Sequence, residues 1–278
     1  MVKILDGKKA SEKVLDSLKK KIKANKLKLT LAIISVGKNK VSEIYLRQKR
    51  LACEKTGIGF RPYCFSKRIS QRKLETEIKR IAKSQINSGI VIQLPLPFNS
   101  LAIGQLFDLI PAKKDTDCLG TTNFNSFCRG NKKVMPPVVS AIKKLFKNYK
   151  IKIKNKNIVV VGTGRLVGLP VSLWLANEKA KVITVNKFTR DIADFTKKAD
   201  IIISGVGKAN LINGSMVKKG VVLVDVGASM EKGKVLGDIE IKSVFKKASF
   251  LAPVPGGVGP LSVACLLKNL LKLSRDSD

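Results

Sequence analysis

Short apolar runs alternate with amphipathic stretches of helical spacing along this chain, and they do so in two separate series. The first series reads as a helix near residues 8–24, a strand near 29–36 and a helix over 42–56 ended by Gly57. A strand near 58–65, a helix over about 70–88 and a strand over 90–94 follow. Strands joined by helices, rather than by tight turns, must run parallel, with the helices covering the sheet. From Asn155 the rhythm restarts with all-apolar strands at 158–161, 182–185, 201–203, 221–224 and 250–252, the pattern of a second and more deeply buried parallel sheet. Between the two series, residues 111–137 are rich in Asp, Thr, Asn and Gly and show no period, so the domain connection is expected near their end. A helix over about 138–148 then carries the crossover. The expected fold class is α/β with two domains, each built on a parallel sheet.

Composition removes several functions. The 278 residues hold no histidine, which excludes a Ser-His-Asp triad, the usual imidazole base and most transition-metal sites. Five cysteines, Cys53, Cys64, Cys118, Cys128 and Cys265, are scattered and never spaced C-x-x-C, so neither a disulfide framework nor a metal site is expected. No apolar run reaches the roughly 18 residues of a membrane span, and the start, MVKILDGKKA, has no signal-peptide core. A cytoplasmic protein is expected. The formal charge of +34 raises the question of nucleic acid, but the lysines run through the whole sequence without a nucleic-acid motif. Steering of small polyanions accounts for the same charge.

The second series opens with a strand, a glycine turn and a helix: Gly162-Thr163-Gly164-Arg165-Leu166-Val167-Gly168 follows residues 158–161. Glycines there permit the tight turn and let backbone N–H groups at the helix start approach a pyrophosphate. The spacing is G-x-G-x-x-x-G, so a ligand-free βα turn is the competing reading. An NAD site would carry a carboxylate about 20 residues on, at the end of the second strand, for the ribose hydroxyls. Asn186 and Lys187 stand there instead. A cation suits a 2′-phosphate, so NADP is expected, NAD not being excluded, with Lys187, Arg165 and Arg190 as partners.

In the first series, Tyr45 and Lys49 are four residues apart on one helix face. Alone, such a pair is an ordinary half-buried tyrosine with a snorkelling lysine. Three other stretches are unusual. Gln93-Leu94-Pro95-Leu96-Pro97 puts an amide at the carboxyl end of a buried strand, where open α/β sheets bind ligands. Lys114-Asp115-Thr116-Asp117 lies in the aperiodic segment, and Pro253-Val254-Pro255-Gly256-Gly257-Val258-Gly259-Pro260 precedes the last helix. Each taken singly is turn chemistry.

Together and in this order, with Ala199-Asp200-Ile201 and Asp225-Val226-Gly227, these motifs resemble the bifunctional methylenetetrahydrofolate dehydrogenase/cyclohydrolase family over nearly the whole chain. The resemblance implies a catalytic, folate-binding domain over 1–137 and a Rossmann-like, NADP-binding domain over 138–257, with the last helix, 258–278, returning to the first domain. It implies oxidation of 5,10-methylenetetrahydrofolate by hydride transfer, hydrolysis of the methenyl product to 10-formyltetrahydrofolate, polyglutamylated folates as partners, and a homodimer. Lys49, helped by Tyr45, is the expected acid/base, Gln93 the group that holds it, and Asp117 the carboxylate that grips the pterin. Leu94, Pro95, Pro255, Gly256 and Gly257 are then expected at the substrate. Gly162, Thr163, Gly164, Arg165, Gly168, Lys187, Gly227 and Ala228 are expected at the cofactor. The chain departs from the family pattern where Thr163-Gly164 replaces Arg-Ser, where Asn186-Lys187 replaces His-Ser, at Cys118 in place of glycine, and at Pro136-Pro137-Val138-Val139 in place of a PCTP-like turn. Rival readings are an oxidoreductase on another substrate and a non-catalytic nucleotide- or nucleic-acid-binding relative.

Overall fold

The computed structural model describes residues 2–275. Residue 1 and residues 276–278, which the expected domain extents include, lie outside the described residues. In chain order the elements begin with β1 (Lys3–Ile4), α1 (Gly7–Ala24), β2 (Thr30–Val36), α2 (Lys40–Thr56), β3 (Gly59–Phe65), α3 (Gln71–Lys83) and β4 (Gly89–Ile92). Two helices follow, α4 (Ser100–Asp108) and α5 (Thr121–Cys128), with a single 3-10 turn at Ala112–Lys114 between them. The second series is α6 (Pro137–Asn148), β5 (Asn157–Val161), α7 (Gly168–Asn177), β6 (Lys181–Val185), α8 (Ala193–Thr196), β7 (Ile201–Ser204) and β8 (Val221–Asp225). A hairpin of β9 (Ser229–Glu231) and β10 (Lys234–Leu236), then α9 (Ile241–Val244), β11 (Ala248–Ala252) and α10 (Val258–Arg275), complete it.

The chain divides into two compact units. One comprises Glu12–Pro137 with the stretch from Val263 onward. Its sheet is parallel, in the order β3-β2-β4. The central strand β2 is buried over five successive residues, four of them apolar, whereas β3 has no buried residue and carries Pro62, as an edge strand that need not donate at every residue can. Segment Asp115 pairs in parallel with Ile90, extending the sheet by a stub beyond β4. The helix expected over 70–88 stops at Lys83, because Ser84 turns extended and Asn87 spends its amide on the carbonyl of Ile81. The aperiodic segment 111–137 nevertheless contains α5, which is too short to show a period.

The other unit comprises the chain up to Ser11 with Val138–Ser262. Its six-stranded sheet runs β1-β11-β8-β7-β5-β6, every pairing parallel. From β5 the chain passes to β6 on one side and to β7 on the other, which makes the β5/β7 boundary the switch point of a doubly wound fold. β5, β7 and β8 are almost wholly buried, as all-apolar strands should be. β6 is a correction to the sequence expectation: it is the edge strand, and Ile183 is 44% exposed. The two-residue β1 adds to β11 at the far edge, with Leu5 N–H bonded to the Leu251 carbonyl.

Candidate active site

In the three-stranded unit, α2 starts at Asn39, whose side chain accepts from the backbone N–H of Ser42, and ends at Gly57, which takes the left-handed conformation. Between these caps the helix presents Tyr45 and Lys49 on one face. Lys49 is buried, 7% exposed, and its Nζ donates to Gln93 Oε1 at 2.6 Å. Gln93 sits just past the end of β4, its backbone N–H bonded to the Ile34 carbonyl and its own amide donating to the Leu94 carbonyl at 3.0 Å. Ser42 Oγ donates to that same carbonyl at 3.0 Å, tying α2 to the Gln93-Leu94 turn. The Leu94–Pro95 peptide is cis.

Asp117 reaches this place through its neighbours. Asp115 runs parallel beside Ile90, so two residues later Asp117 lies about 6–7 Å further along, level with the end of β4. Buried Asp115 accepts from the N–H groups of Leu119 and Gly120, Thr116 Oγ1 donates to the Ile90 carbonyl, and Asn269 Nδ2 of α10 donates to the carbonyls of Thr116 and Met135. Cys118 completes the turn with φ +57°, the left-handed region, which explains the glycine usual in that place. Burial lowers the pKa of Lys49 while Asp117 and Cys53 pull it back up; burial raises that of Asp117 while Lys49 opposes the rise. Burial also pushes Asp115 up to about 6. The arrangement is therefore a desolvated lysine, held by an amide and facing a carboxylate, with its neutral form brought nearer to neutral pH.

Pro255, Gly256 and Gly257 belong to the six-stranded unit. The Gly256 carbonyl accepts from the N–H groups of Gly7 and Lys8 at the start of α1. The structure gives these residues that local role.

The glycine loop of the six-stranded unit joins β5 to α7 at the switch point. A Cβ on Gly168 would overlap the Gly162 carbonyl, so that glycine is demanded by packing. Gly164 has open space within 4 Å of where a Cβ would be, and the Gly164 carbonyl accepts from the N–H of Leu169 at 3.1 Å. Room beside the loop and a helix N-terminus behind it fit a pyrophosphate. Thr163 and Gly164 are exposed and Arg165 is half-buried. Lys187 and Arg190, beyond the end of β6, are exposed, and Lys187 Nζ stands 4.9 Å from the ring centroid of Phe188. No carboxylate occupies positions 186–188. Gly227 is buried at the end of β8, where a Cβ would overlap the carboxylate of Asp238, and Ala228 beside it is half-buried. Sequence reading missed Asp238 because a single aspartate after a short hairpin carries no spacing signal.

A doubly wound unit with a glycine loop and a second α/β unit holding a buried lysine fit the class of two-domain, dinucleotide-dependent dehydrogenases. The profile described as "Tetrahydrofolate dehydrogenase/cyclohydrolase, catalytic domain" matches residues 5–117, and that of the family's NAD(P)-binding domain matches residues 136–278. The chain belongs to the tetrahydrofolate dehydrogenase/cyclohydrolase family. It is 40% identical to the bifunctional protein FolD of Nautilia profundicola over 277 residues, 98% of this chain and 97% of that protein. The bifunctional FolD enzyme of Campylobacter jejuni has a crystal structure similar to this one at a TM-score of 0.92, with 35% identity and all of both chains covered. The Trypanosoma brucei enzyme, solved with NADP and an inhibitor, is equally similar at 0.92, with 32% identity over 99% of this chain and 98% of that one.

Proposed function

We propose that the protein oxidises 5,10-methylenetetrahydrofolate with NADP and hydrolyses the resulting methenyl cation to 10-formyltetrahydrofolate, with Lys49 as the acid/base of the second step. The 2.6 Å bond from Lys49 to Gln93 is the observation that carries the reading: a buried ammonium is costly, and a lysine held by an amide at a strand end is placed where its neutral form can serve chemistry. Family membership and the match to both domain profiles supply the substrate class.

In the first step the methylene carbon gives up a hydride, for which NADP, when bound, would supply the acceptor. No proton moves, so the chain contributes alignment: Tyr45, Gln93, Leu94, Pro95 and Asp117 hold the folate. The glycine loop from Gly162 to Gly168, with Gly227 and Ala228, seats the dinucleotide, and Lys187 with Arg165 favours the 2′-phosphate. In the second step water adds to the cationic carbon and gives one proton to neutral Lys49 Nζ; the ammonium so formed returns it to the ring nitrogen as the C–N bond breaks, and the hydroxyl's remaining proton passes to solvent as the carbonyl forms. Gln93 Oε1 keeps Nζ in place, and the positive substrate itself favours the neutral amine.

Polyglutamylated folates, a homodimer, a cytoplasmic location, and functional domains at 1–137 with 258–278 and at 138–257 belong to the same reading. No helix of the described residues is long and apolar enough to cross a membrane. The deciding assay follows absorbance of methenyl and reduced-cofactor products from methylenetetrahydrofolate, with NADP and NAD in parallel. Turnover with NADP exceeding that with NAD supports the proposal; no turnover with either refutes it.

A further inference from the structure

We infer that Asp238 is a positioning residue for the dinucleotide, its carboxylate fixing the 205–208 loop against the glycine loop while Asp225 fixes Asp238. The inference rests on the reading that the six-stranded unit carries the cofactor, and it gives a task to two buried carboxylates that neither chemical step uses.

Asp238 is 1% exposed, and both of its oxygens are fully engaged. Oδ2 accepts from Ser204 Oγ and from Val206 N–H, each at 2.7 Å; Oδ1 accepts from the N–H groups of Gly207 and Lys208, each at 2.9 Å. Three successive backbone N–H groups converging on one anion form a nest, and here the protein supplies the anion itself. Asp225, the last residue of β8, is equally buried. Its Oδ1 accepts from Gly227 N–H and Asp238 N–H, and its Oδ2 accepts from Ile239 N–H at 2.9 Å. The two loops interlock further: a Cβ on Gly227 would overlap the Asp238 carboxylate, and one on Gly237 would overlap that of Asp225. No basic side chain donates to either group among the described residues, so burial, with Asp238 adding to it, pushes Asp225 up to about 7.

The held loop stands at the switch point. It leaves the carboxyl end of β7, the neighbour of β5, and a Cβ on Gly162 would come within 3.1 Å of the Gly205 carbonyl. A Cβ on Gly205 would crowd the side chain of Val167, in the turn that opens α7. Loop 205–208 is thus one wall of the crevice whose other wall is the glycine loop. Gly207 also lies close to the 226–228 turn, where its Cβ would be 3.5 Å from the Ala228 carbonyl. One carboxylate therefore sets the shape of the place where open α/β sheets bind dinucleotides.

Calorimetric titration with NADP, paired with both activity assays, tests this. Asp238→Asn turns one acceptor oxygen into a donor facing two donors. It should raise the Kd and KM for NADP about 10- to 100-fold, as misplacement of a binding wall does. Hydrolysis of methenyltetrahydrofolate without cofactor should stay within about 2-fold of wild type, because that step needs no dinucleotide. Should Asp238→Asn fail to fold, Ser204→Ala, which removes one donor of four, decides: a smaller rise in the same direction supports the inference. An unchanged Kd in a folded variant, or an equal fall of both activities, overturns it. Wild-type protein that binds NADP without oxidising the folate would refute the proposed function alone, since the variants' Kd would still decide the role of Asp238. Wild-type protein that does not bind NADP would overturn both.

Discussion

An ammonium group taken out of water keeps its proton only if its surroundings replace the lost hydration, and Lys49 has one amide oxygen and one carboxylate with which to do so. The base form is the neutral one, and its fraction grows as pH rises through the pKa of the folded protein. The rate of methenyl hydrolysis should therefore rise with pH along a limb that lies below the ordinary lysine range, since burial lowers that pKa. Gln93 favours the charged form by accepting from it, so Gln93→Leu should move the limb to still lower pH. A pH–rate profile of the cofactor-free reaction checks this, and an unmoved limb would mean that the titrating group is not Lys49. At the cofactor, Lys187→Ala should raise the KM for NADP more than that for NAD, because only NADP carries the phosphate that a cation would pair with. Steady-state kinetics with both cofactors decide it, and an unchanged preference would remove Lys187 from the site.

Among the elements, the glycine loop separates packing from binding. Gly168→Ala forces a methyl into the Gly162 carbonyl and should destabilise the protein by about 1–3 kcal/mol, the usual cost of overpacking. Gly164→Ala meets open space, so it should leave the melting temperature unchanged while raising the KM for NADP, whose pyrophosphate needs that room. Thermal melts should thus separate the two variants, the first losing stability and the second keeping it. Strand and helix positions were legible because β2, β5, β7 and β8 are buried on both faces and read as unbroken apolar runs. β6 was misjudged for the same reason: its apolar run is no different, yet it ends the sheet, and edge position is a property of topology. β1 and the β9–β10 hairpin span two and three residues per strand, too short for any periodicity. The Lys49–Gln93 pairing followed from the family resemblance that the ordered motifs carry, since spacing alone left Lys49 an ordinary lysine, whereas the Asp225–Asp238 clasp depends on loops that only folding brings together.

For the whole molecule, 54 basic against 20 acidic residues place positive charge around both units. Folate glutamyl tails and cofactor phosphates are negative, so long-range attraction should speed their capture, and salt should weaken it. The loss of kcat/KM between low and physiological salt should be greater for polyglutamylated than for monoglutamylated folate. Equal losses, or sub-micromolar binding of duplex nucleic acid at physiological salt, would contradict a charge that serves the substrates. Two reactions are assigned to one protein, and only the second needs a proton carrier. Lys49→Gln tests that claim most directly, with both reactions measured on one purified preparation. General acid–base groups contribute about 10²–10⁴ in rate, so decay of methenyltetrahydrofolate without cofactor should slow by that order. Formation of reduced cofactor from methylenetetrahydrofolate should fall far less. Hydrolysis at the wild-type rate, or a fall of both reactions by the same factor, would contradict the assignment of Lys49.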